Sequence, residues 1–479
     1  MKAYKNQFIG GEWRIGTGER ELENRNPYTG ELLYTYRGAG LKDVDDAYRA
    51  AEKAQKEWEK VSPAKKRDML ERLIEAIVSL REDIYSCLTE EGGSTRAKAN
   101  FEFYTSIEFV REALAFPLMM DGKIMPSNMP GKDNYIVKSP KGVIGVIAPW
   151  NVPLVLAMRS VVPAVAVGNA VVLKPATDTP ASAFLVAEVF EKAGFPKGLV
   201  NVVAGPGSEI GDAFVSHPIP ALISFTGSTE VGRRVGRIAT EALKDVSLEL
   251  GGNNAMLVLC DADVEQAARA AVFGAFFNQG QVCMAINRII VEAPVYDAFV
   301  EAFVAGAKAL KAGDPADSDT FIGPIINPAQ VASIEGYIKA TIDADATVAL
   351  RGKTEGQVIH PWIFTNVTND MPAAANEVFG PVCCIMKAEN EQDAIDLAND
   401  SAYGLSGSVF TADLYHGMQV ARQIKSGMVH VNDQSINDEP HIMFGGEKAS
   451  GLGRFNGQWV VDKFTTEKWI SVQTERRIF

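Results

Sequence analysis

The sequence predicts an α/β protein in which two domains each contain a parallel β-sheet covered by helices. The chain has 479 residues, and at roughly 100–200 residues per domain this length is enough for two or three folding units. Hydrophobic residues make up 47% and charged residues 22%, a balance that is typical of globular proteins. From Lys141 onward, short β-rich apolar runs alternate with helical stretches, and this alternation favours parallel sheets with helices on both faces.

The first alternating region predicts four buried strands, at residues 143–148, 170–174, 201–203 and 221–225. A helix that extends to about Val167 connects the first two strands. Thr179 and Pro180 fit the N-cap and first-turn positions of the next helix, and Gly194 fits its C-terminal end. These elements predict the first sheet and its helices.

The second alternating region predicts strands at residues 256–259 and 288–292, and further strands in the GSVF and MVHVN segments. A helix over about Asp263–Asn278 lies between the first two of these strands. An amphipathic helix comes next, with an apolar stripe at Val295, Phe299, Val300, Phe303, Val304 and Leu310. Because such a stripe normally packs against the core, we expect it to be buried.

The net charge limits the expected binding partners, and the cysteines indicate the cellular compartment. The formal charge of −13, from 47 basic and 60 acidic residues, repels phosphate backbones, so no nucleic acid is expected. Five scattered cysteines without a CxxC or Cys/His spacing predict neither a disulfide framework nor a metal site, and they favour a reducing cytoplasm. The uncharged runs 143–158 and 160–173 are too short and too interrupted by proline to cross a membrane. The first residues lack the apolar core of a signal peptide.

Pro149, Trp150 and Asn151 directly follow the first predicted strand. The carboxyl ends of parallel strands border the ligand crevice of an open α/β sheet. The side-chain amide of Asn151 can there donate a hydrogen bond to an oxyanion that forms during a reaction. The alternative is that Asn151 only satisfies the backbone of its own loop.

Two glycine-containing segments, residues 205–207 and 225–232, predict tight turns beside the sheet. In the second segment a strand, a Gly turn and a helix start follow one another, and the helix N–H groups with Ser228 favour a phosphate. The segment is not a GxGxxG motif, and Gly-rich turns are common, so it does not identify a cofactor by itself.

Glu249 and Cys283 have side chains suited to general-base and covalent chemistry. Glu249 ends a strand before the pair Gly251-Gly252, and apolar surroundings there would raise its pKa toward neutrality, as a general base requires. The alternative is a Glu249 paired with a nearby Lys or Arg. Cys283 lies just beyond a Gly-containing turn at the end of a helix. A free thiol is usually buried and inert, so a nucleophilic Cys283 needs activation by its surroundings.

Seven segments in a fixed order carry a family resemblance: PWN, LKPA, FTGSTEVG, LELGG, NQGQVC, EVFGPV and FGGEKASGLGR. In this order and spacing they resemble the aldehyde dehydrogenase superfamily, and the resemblance covers the chain from about Ile9 to Ile470. The segment 431–457 is similar to the benzaldehyde, vanillin and salicylaldehyde dehydrogenase branch. The resemblance implies oxidation of an aldehyde, expected to be aromatic, to the carboxylic acid with NAD or NADP.

The resemblance implies catalytic roles for three residues. Cys283 would attack the aldehyde carbon, Asn151 and the backbone N–H of Cys283 would hold the oxyanion, and Glu249 would activate the water that hydrolyses the thioester. Glu249 also favours a free acid as product, because members that transfer the acyl group to coenzyme A generally lack this base. The residues implied in cofactor binding are Trp150, Lys174, Thr177, Gly207, Gly227, Ser228, Leu250, Glu377 and Phe379.

Thr177 bears on the choice between NAD and NADP. Family members that strongly prefer NAD often have Glu at this position, where a carboxylate binds the ribose hydroxyl and repels a 2′-phosphate. The small hydroxyl of Thr177 removes that repulsion, so we expect tolerance of NADP as well as NAD.

The family alignment places Val152, Arg159, Val282 and Phe444 around the substrate. Small valines beside an aromatic wall would suit a flat ring. Arg159 would meet a polar ring substituent, or it would form a surface or interface salt bridge, and the sequence leaves both open.

The family fold adds a small β arm to the two α/β domains. The resemblance implies an NAD(P)-binding domain at residues 1–117 and 141–251, a catalytic domain at 252–447, and an oligomerisation arm at 118–140 and 461–479. The segment KWISVQ at 468–473 alternates as an exposed edge strand does, so a homodimer or homotetramer is expected.

Three alternative functions remain at this point. An aliphatic aldehyde or semialdehyde dehydrogenase would use the same chemistry on another substrate. A cysteine hydrolase could combine Cys283 with His430 or His441 and Asn432, although it gives no reason for the strand, Gly turn and helix at residues 225–232. A non-catalytic binding protein would have no physical need to keep Cys283, Glu249 and Asn151 together.

Overall fold

A computed structural model describes residues 2–479 of the chain. Two large sheets, a three-stranded sheet and three two-stranded pairs make up its β-structure. Strands and helices are numbered along the chain. Within residues 2–479, no helix has the length and apolar character needed to cross a bilayer.

The strands of the first large sheet are β1 (Gln7–Ile9), β2 (Glu12–Arg14), β7 (Val143–Ile147), β8 (Ala170–Lys174), β9 (Val200–Val202), β10 (Leu222–Thr226), β11 (Asp245–Glu249) and β23 (Gly451–Leu452). They lie in the order β2-β1-β9-β8-β7-β10-β11-β23. The five central strands pair in parallel, and the strands at both edges pair antiparallel. The loops after β7, β8, β10 and β11 therefore emerge at one edge of this sheet.

The helices that belong with this sheet are α1 (Leu41–Trp58), α2 (Pro63–Ser79), α3 (Arg81–Glu90), α4 (Arg96–Ala113), α5 (Pro153–Ala166), α6 (Pro180–Lys192), α7 (Asp212–Ser216), α8 (Thr229–Glu241) and α15 (Gly457–Lys463). Every residue of α5 is buried, which explains why its segment is apolar on all sides and not amphipathic. It packs against α4, α6 and β8. Helix α5 thus forms the centre of the first core.

The strands of the second large sheet are β12 (Asn254–Val258), β13 (Ile286–Glu292), β14 (Thr347–Leu350), β17 (Trp362–Thr365), β18 (Val382–Ala388), β20 (Gly407–Phe410) and β21 (His430–Val431). They lie in the order β14-β17-β18-β13-β12-β20-β21, parallel except at β14. The helices of this region are α9 (Val264–Phe276), α10 (Tyr296–Lys308), α11 (Pro328–Asp343), α12 (Pro372–Ala375), α13 (Glu391–Asn399) and α14 (Leu414–Ala421).

The small three-stranded sheet consists of β5 (Gly122–Met125), β6 (Lys132–Pro140) and β24 (Thr465–Gln473), with β6 in the middle. Strand β24 pairs antiparallel with β6 along its whole length, and its other edge is free within this sheet. The two-stranded pairs are β3 (Glu21–Arg25) with β4 (Leu32–Arg37), β15 (Thr354–Glu355) with β16 (Val358–Ile359), and β19 (Tyr403–Gly404) with β22 (Glu447–Lys448).

The α/β fold class is confirmed, with corrections to individual elements. The sheets are mixed because antiparallel strands close their edges, and the MVHVN segment has only the two-residue strand β21. In the apolar stripe of α10, Phe299 and Phe303 are fully buried, and its other members are half-buried. The four N-terminal helices were not predicted from the pattern. The domain boundaries stay a prediction.

Candidate active site

The loop that follows β7 carries Pro149, Trp150 and Asn151 to the carboxyl edge of the first sheet. The side-chain amide of Asn151 donates a hydrogen bond of 2.9 Å to the carbonyl of Gln281. The carbonyl of Asn151 accepts a bond of 3.3 Å from the side chain of Asn278. Asn151 is therefore bonded to the segment that leads to Cys283, and not only to its own loop.

The turn before Cys283 has a strained backbone that hydrogen bonds hold in place. Within the 3-10 turn Phe277–Gly280, Asn278 and Gln279 have φ of 51° and 58°, a left-handed conformation that is costly for residues with a side chain. The buried amide of Gln279 donates a bond of 3.1 Å to the carbonyl of Pro324. Such strain persists only where the surroundings determine it, and it is common at functional sites.

The backbone beyond the turn is fixed by side chains from the second sheet and a later loop. The amide of Asn254 donates bonds of 2.8 Å to the carbonyls of both Cys283 and Ala285. The hydroxyl of Ser435 donates a bond of 2.6 Å to the carbonyl of Met284. The backbone that carries Cys283 is therefore held in place before any substrate binds, as precise catalysis requires.

Glu249 is the last residue of β11, and its side chain is buried in the same region. Both carboxylate oxygens lack a hydrogen-bond partner within residues 2–479. Burial raises the pKa of Glu249 from 4.5 to about 8, while the charges of Arg159 and Arg454 act in the opposite direction. The alternative of a Glu249 bonded directly to a Lys or Arg is wrong. The carboxyl group has the near-neutral pKa of a general base.

Burial also controls the Cys283 thiol and the carboxyl group of Glu377. The pKa of the thiol rises to about 12, through burial first and then through the negative charge of Glu377, with Arg159 opposing the shift. Burial raises the pKa of Glu377 to about 7, although its carboxylate accepts a hydrogen bond of 3.0 Å from the N–H of Gly252. The resting thiol is therefore protonated, and it reacts only after its proton is removed.

One cavity of about 240 Å³ opens onto these groups. The predicted site residues that line it are Trp150, Asn151, Gly227, Ser228, Glu249, Leu250, Cys283, Glu377 and Phe379. Three further lining residues on α11, Gln330, Ser333 and Tyr337, were not predicted. Nothing in the sequence pattern distinguishes these polar positions from an ordinary exposed helix face. The cavity therefore joins the carboxyl edge of the first sheet to elements of the second.

The predicted cofactor residues outside this cavity are Lys174, Thr177 and Gly207. Lys174 is 5% exposed, and its ammonium group donates only to the carbonyl of Pro175, at 3.2 Å, within the described chain. Burial lowers the pKa of Lys174 to about 8. Thr177 is half-buried in the loop after β8, and a Cβ on Gly207 would meet no atom within 4 Å. A buried ammonium without an acid and an open Gly backbone fit the hydroxyl and phosphate groups of a dinucleotide.

The start of α8 and an aromatic pair complete the features that fit a nicotinamide dinucleotide. The Ser228 hydroxyl caps α8 by accepting a bond of 3.4 Å from the N–H of Val231. Trp150 and Phe379 meet edge to face at 5.3 Å. Helix N–H groups favour a phosphate, and aromatic rings provide a surface for a planar ring.

The four predicted substrate residues do not line this cavity. Arg159 is 2% exposed, and its guanidinium forms a salt bridge of 3.3 Å with buried Asp438. It also lies 4.3 Å from the centre of the Phe444 ring. The salt bridge is neither at the surface nor between subunits, so that alternative is corrected to a buried pair. Val282 is buried next to Cys283 in the chain, and Val152 is half-buried beside Asn151.

Comparison with known proteins identifies the family. A profile described as the aldehyde dehydrogenase family matches residues 13–470. The chain belongs to the aldehyde dehydrogenase family. It is 49% identical to a vanillin dehydrogenase of Corynebacterium glutamicum, with 97% of each chain covered. It is 48% identical to a benzaldehyde dehydrogenase of Bacillus subtilis, with 99% of this chain and 98% of that one covered.

A solved structure shows the same fold. The crystal structure of an NAD-dependent benzaldehyde dehydrogenase from Corynebacterium glutamicum has a TM-score of 0.92 at 45% identity, over 99% of this chain and 98% of that one. These comparisons confirm the predicted family and fold. As an aldehyde dehydrogenase, the chain is an oxidoreductase that acts on aldehydes.

The geometry does not favour the cysteine hydrolase alternative. Neither His430, His441 nor Asn432 lines the cavity of Cys283. The amide group of Asn432 is occupied by hydrogen bonds of 2.9 Å to the backbone of Thr411, and His441 has a largely exposed side chain. The structure of this aldehyde dehydrogenase therefore does not assemble the Cys–His–Asn arrangement.

Proposed function

We propose that this aldehyde dehydrogenase oxidises an aromatic aldehyde to the carboxylic acid through a thioester on Cys283, with NAD or NADP as the cofactor. The observation that carries the proposal is the placement of Cys283, Glu249 and Asn151 around one cavity, with the Glu249 carboxyl group buried and unbonded. A nucleophile, a base with a near-neutral pKa and an oxyanion donor are the groups that thioester formation and hydrolysis require.

Acylation begins when the Cys283 thiol loses its proton to solvent and the sulfur attacks the aldehyde carbon. A C–S bond forms and the carbonyl oxygen becomes an oxyanion, which the amide of Asn151 and the backbone N–H of Cys283 stabilise. One donor of this kind typically contributes about 10²–10³ in rate. When bound, the oxidised nicotinamide supplies a positive charge that favours the thiolate and accepts the hydride that leaves the aldehyde carbon.

Three groups of residues would hold the cofactor. Lys174 would bind a ribose hydroxyl, Gly207, Gly227 and Ser228 would border the phosphates, and Glu377 with Phe379 would position the nicotinamide ribose and ring. Trp150, Thr177 and Leu250 complete the proposed cofactor residues. The burial of Lys174, the open backbone at Gly207 and the start of α8 at Ser228 support these roles.

Glu249 would act in the second half of the reaction. Its ionised form removes a proton from a water molecule, the hydroxide attacks the thioester carbon, and the C–S bond breaks to release the free acid. Because both carboxylate oxygens are unbonded, either one can accept the proton. The base is thereby available without first breaking a hydrogen bond.

The aromatic substrate is supported by the relatives and by the surroundings of Arg159. The named relatives are vanillin and benzaldehyde dehydrogenases. Phe444 stacks on Arg159, and Val282 and Val152 lie beside Cys283 and Asn151 in sequence, which would suit a flat ring. A semialdehyde would bring a carboxylate that needs a positive charge, but the charge of Arg159 is already paired with Asp438. This pairing favours an aromatic over a semialdehyde substrate.

We also propose a homodimer or homotetramer in the cytoplasm. Strand β24 presents a free edge with exposed apolar side chains, including Trp469 and Ile470. An exposed edge of this kind is a template for pairing with another chain. The cysteines are all free within the described chain, as a reducing compartment allows.

The substrate class is tested with an aldehyde panel while the reduced cofactor is followed by its absorbance. We expect benzaldehyde-type substrates to exceed acetaldehyde and succinic semialdehyde in kcat/KM, because Val152 and Val282 would suit a flat ring and the charge of Arg159, already paired with Asp438, is not free for a semialdehyde carboxylate. Cys283→Ser is the matched control and should abolish aldehyde-driven reduction with every substrate. The reverse ranking would end the aromatic assignment.

Replacing Glu249 with Gln tests the base. The first-turnover burst of reduced cofactor should remain, and the steady-state rate should fall, because only hydrolysis needs the base. In the unchanged enzyme the pKa of about 8 means that the ionised base is the minor form below pH 8. The steady-state rate should therefore rise about tenfold per pH unit toward pH 8 and then level off. In Glu249→Gln this rise should disappear, and loss of the burst would instead place Glu249 in activation of the thiol.

Cofactor choice is tested by kcat/KM for NAD and NADP at a fixed aldehyde concentration. We expect both to be used, because Thr177 provides no negative charge against the 2′-phosphate. The variant Thr177→Glu should lower kcat/KM for NADP and affect that for NAD much less. Rejection of NADP by more than a few hundredfold in the unchanged enzyme would contradict this expectation.

A further inference from the structure

Helix α5, which begins two residues after Asn151, has no cap from its own sequence. Val152 occupies the N-cap position but makes no side-chain capping bond, and Pro153 has no N–H. The next two N–H groups, of Leu154 and Val155, donate bonds of 2.9 and 3.3 Å to one carboxylate oxygen of Glu102 on α4. A single buried side chain from another helix thus accepts hydrogen bonds from the first two N–H groups of α5.

The Glu102 carboxylate is itself fixed by a buried cation. Its other oxygen forms an ion pair and hydrogen bond with the ammonium group of Lys98, one turn earlier on α4. Lys98 also donates a bond of 2.8 Å to the hydroxyl of Ser94. The side chains of Lys98 and Glu102 are 1% and 0% exposed, so water does not compete for these contacts. The carboxylate therefore holds α5 at a fixed position on α4.

Helix α4 also contacts the turn that leads to Cys283. The ring of Phe101, next to Glu102, meets the ring of Phe277 edge to face at 6.2 Å. Asn151 is bonded to the same turn through Asn278 and Gln281. Helix α4 thus contacts both the start of α5, just after Asn151, and the turn before Cys283. The relative position of these two segments determines where an oxyanion would form.

Helix α6 is also capped by a carboxylate from another helix, and the comparison shows how Glu102 differs. The Glu91 carboxylate at the end of α3 accepts a bond of 3.1 Å from the N–H of Ala181, beyond Pro180 at the start of α6. The predicted capping residue Thr179 makes no capping bond. Glu91 is held by a neutral group, the hydroxyl of Tyr34, at 2.8 Å. Of these two helices, α5 is the one whose capping carboxylate belongs to a buried ion pair. It is also the helix that directly follows the loop of Asn151.

We infer that Glu102, held by Lys98, is a positioning residue that sets Asn151 against the turn of Cys283 and so aligns the oxyanion site. This role rests on the proposed function, because it requires Asn151 to stabilise the oxyanion. Glu102 itself does not line the cavity. It acts through the start of α5, and a displacement of about 1 Å at a reacting group costs roughly 10² in rate.

Two double variants test the cap without leaving a buried charge unpaired. Glu102→Gln alone would leave Lys98 without its partner, which is strongly destabilising. Lys98→Met with Glu102→Gln removes both charges but keeps a side-chain oxygen for the N–H of Leu154. Lys98→Met with Glu102→Leu removes that oxygen as well. The two variants differ only at position 102, where Leu lacks the polar amide group of Gln, so the Gln variant is the matched control.

The rate of the first-turnover burst with benzaldehyde and NAD is then measured for both variants. The Gln variant should stay within about threefold of the unchanged enzyme, and the Leu variant should be slower by about tenfold to hundredfold. The rate of Cys283 alkylation, mapped by mass spectrometry, should be the same in both because the thiol is not displaced. Equal burst rates in the two variants would overturn the inference.

A double-mutant cycle with Asn151→Ala separates positioning from general loss of structure. If Glu102 acts through Asn151, the step from the Gln to the Leu variant should change the burst by less than about twofold once Asn151→Ala is present. A loss of the same size in both backgrounds would overturn the positioning role and leave the proposed function intact. An undiminished burst in Asn151→Ala alone would overturn both, because the oxyanion role of Asn151 would then be absent.

Discussion

Four ionisable side chains near the carboxyl edge of the first sheet are buried or half-buried, and none of them forms an ion pair within the described chain. They are Glu249, Cys283, Glu377 and Lys174. Burial shifts each pKa in the direction that favours the neutral form of the group: it raises the pKa of the two carboxyl groups and the thiol, and it lowers that of the ammonium group. Proteins normally pair buried charges; in the proposed function, the substrate, the cofactor and water would provide the partners that the protein itself does not. The rest of the fold keeps these groups in place while they are unpaired.

The neighbouring buried pair of Arg159 and Asp438 adjusts this environment. The positive charge of Arg159 opposes the rise in pKa at both Glu249 and Cys283, and Asp438 acts in the other direction. Asn456 holds Asp438 by a hydrogen bond of 2.8 Å, and Phe444 covers Arg159. The enclosed charge of Arg159 thus lowers the pKa of Glu249 without a hydrogen bond to its carboxylate. Arg159, which was predicted as a substrate residue, therefore also influences the pKa of Glu249 and of Cys283.

The sequence predicted the parts of the site that follow strand ends. Asn151 after β7 and Glu249 at the end of β11 could be placed because parallel strands bring their carboxyl ends to one edge. The partners of these residues could not be placed in the same way. Asp438 is distant from Arg159 in sequence, and Glu102 reaches α5 across about fifty residues. A hydrophobic pattern shows which helix face is buried, but it does not show which polar side chain on that face finds a partner.

The N-terminal caps of α5 and α6 could not be predicted from the local sequence either. A Thr before a Pro predicted the start of α6 correctly, because proline fits the first helical position. The capping bond itself comes from Glu91, since Thr179 makes none. Local propensity thus determined where the helix begins, while tertiary contacts determined what satisfies its N–H groups. The residues of α11 that line the cavity were likewise not predicted, because their place beside Cys283 comes from tertiary packing and not from the local sequence.

The central claim is that Cys283 becomes acylated, and the most direct measurement is the mass of its peptide after one turnover. The Glu249→Gln enzyme is mixed with benzaldehyde and NAD, quenched in acid during the burst, digested and analysed by mass spectrometry. We expect the peptide that contains Cys283 to carry one benzoyl group in place of the thiol hydrogen, in proportion to the reduced cofactor formed. Reduced cofactor in equal amount with an unmodified Cys283 peptide would contradict it.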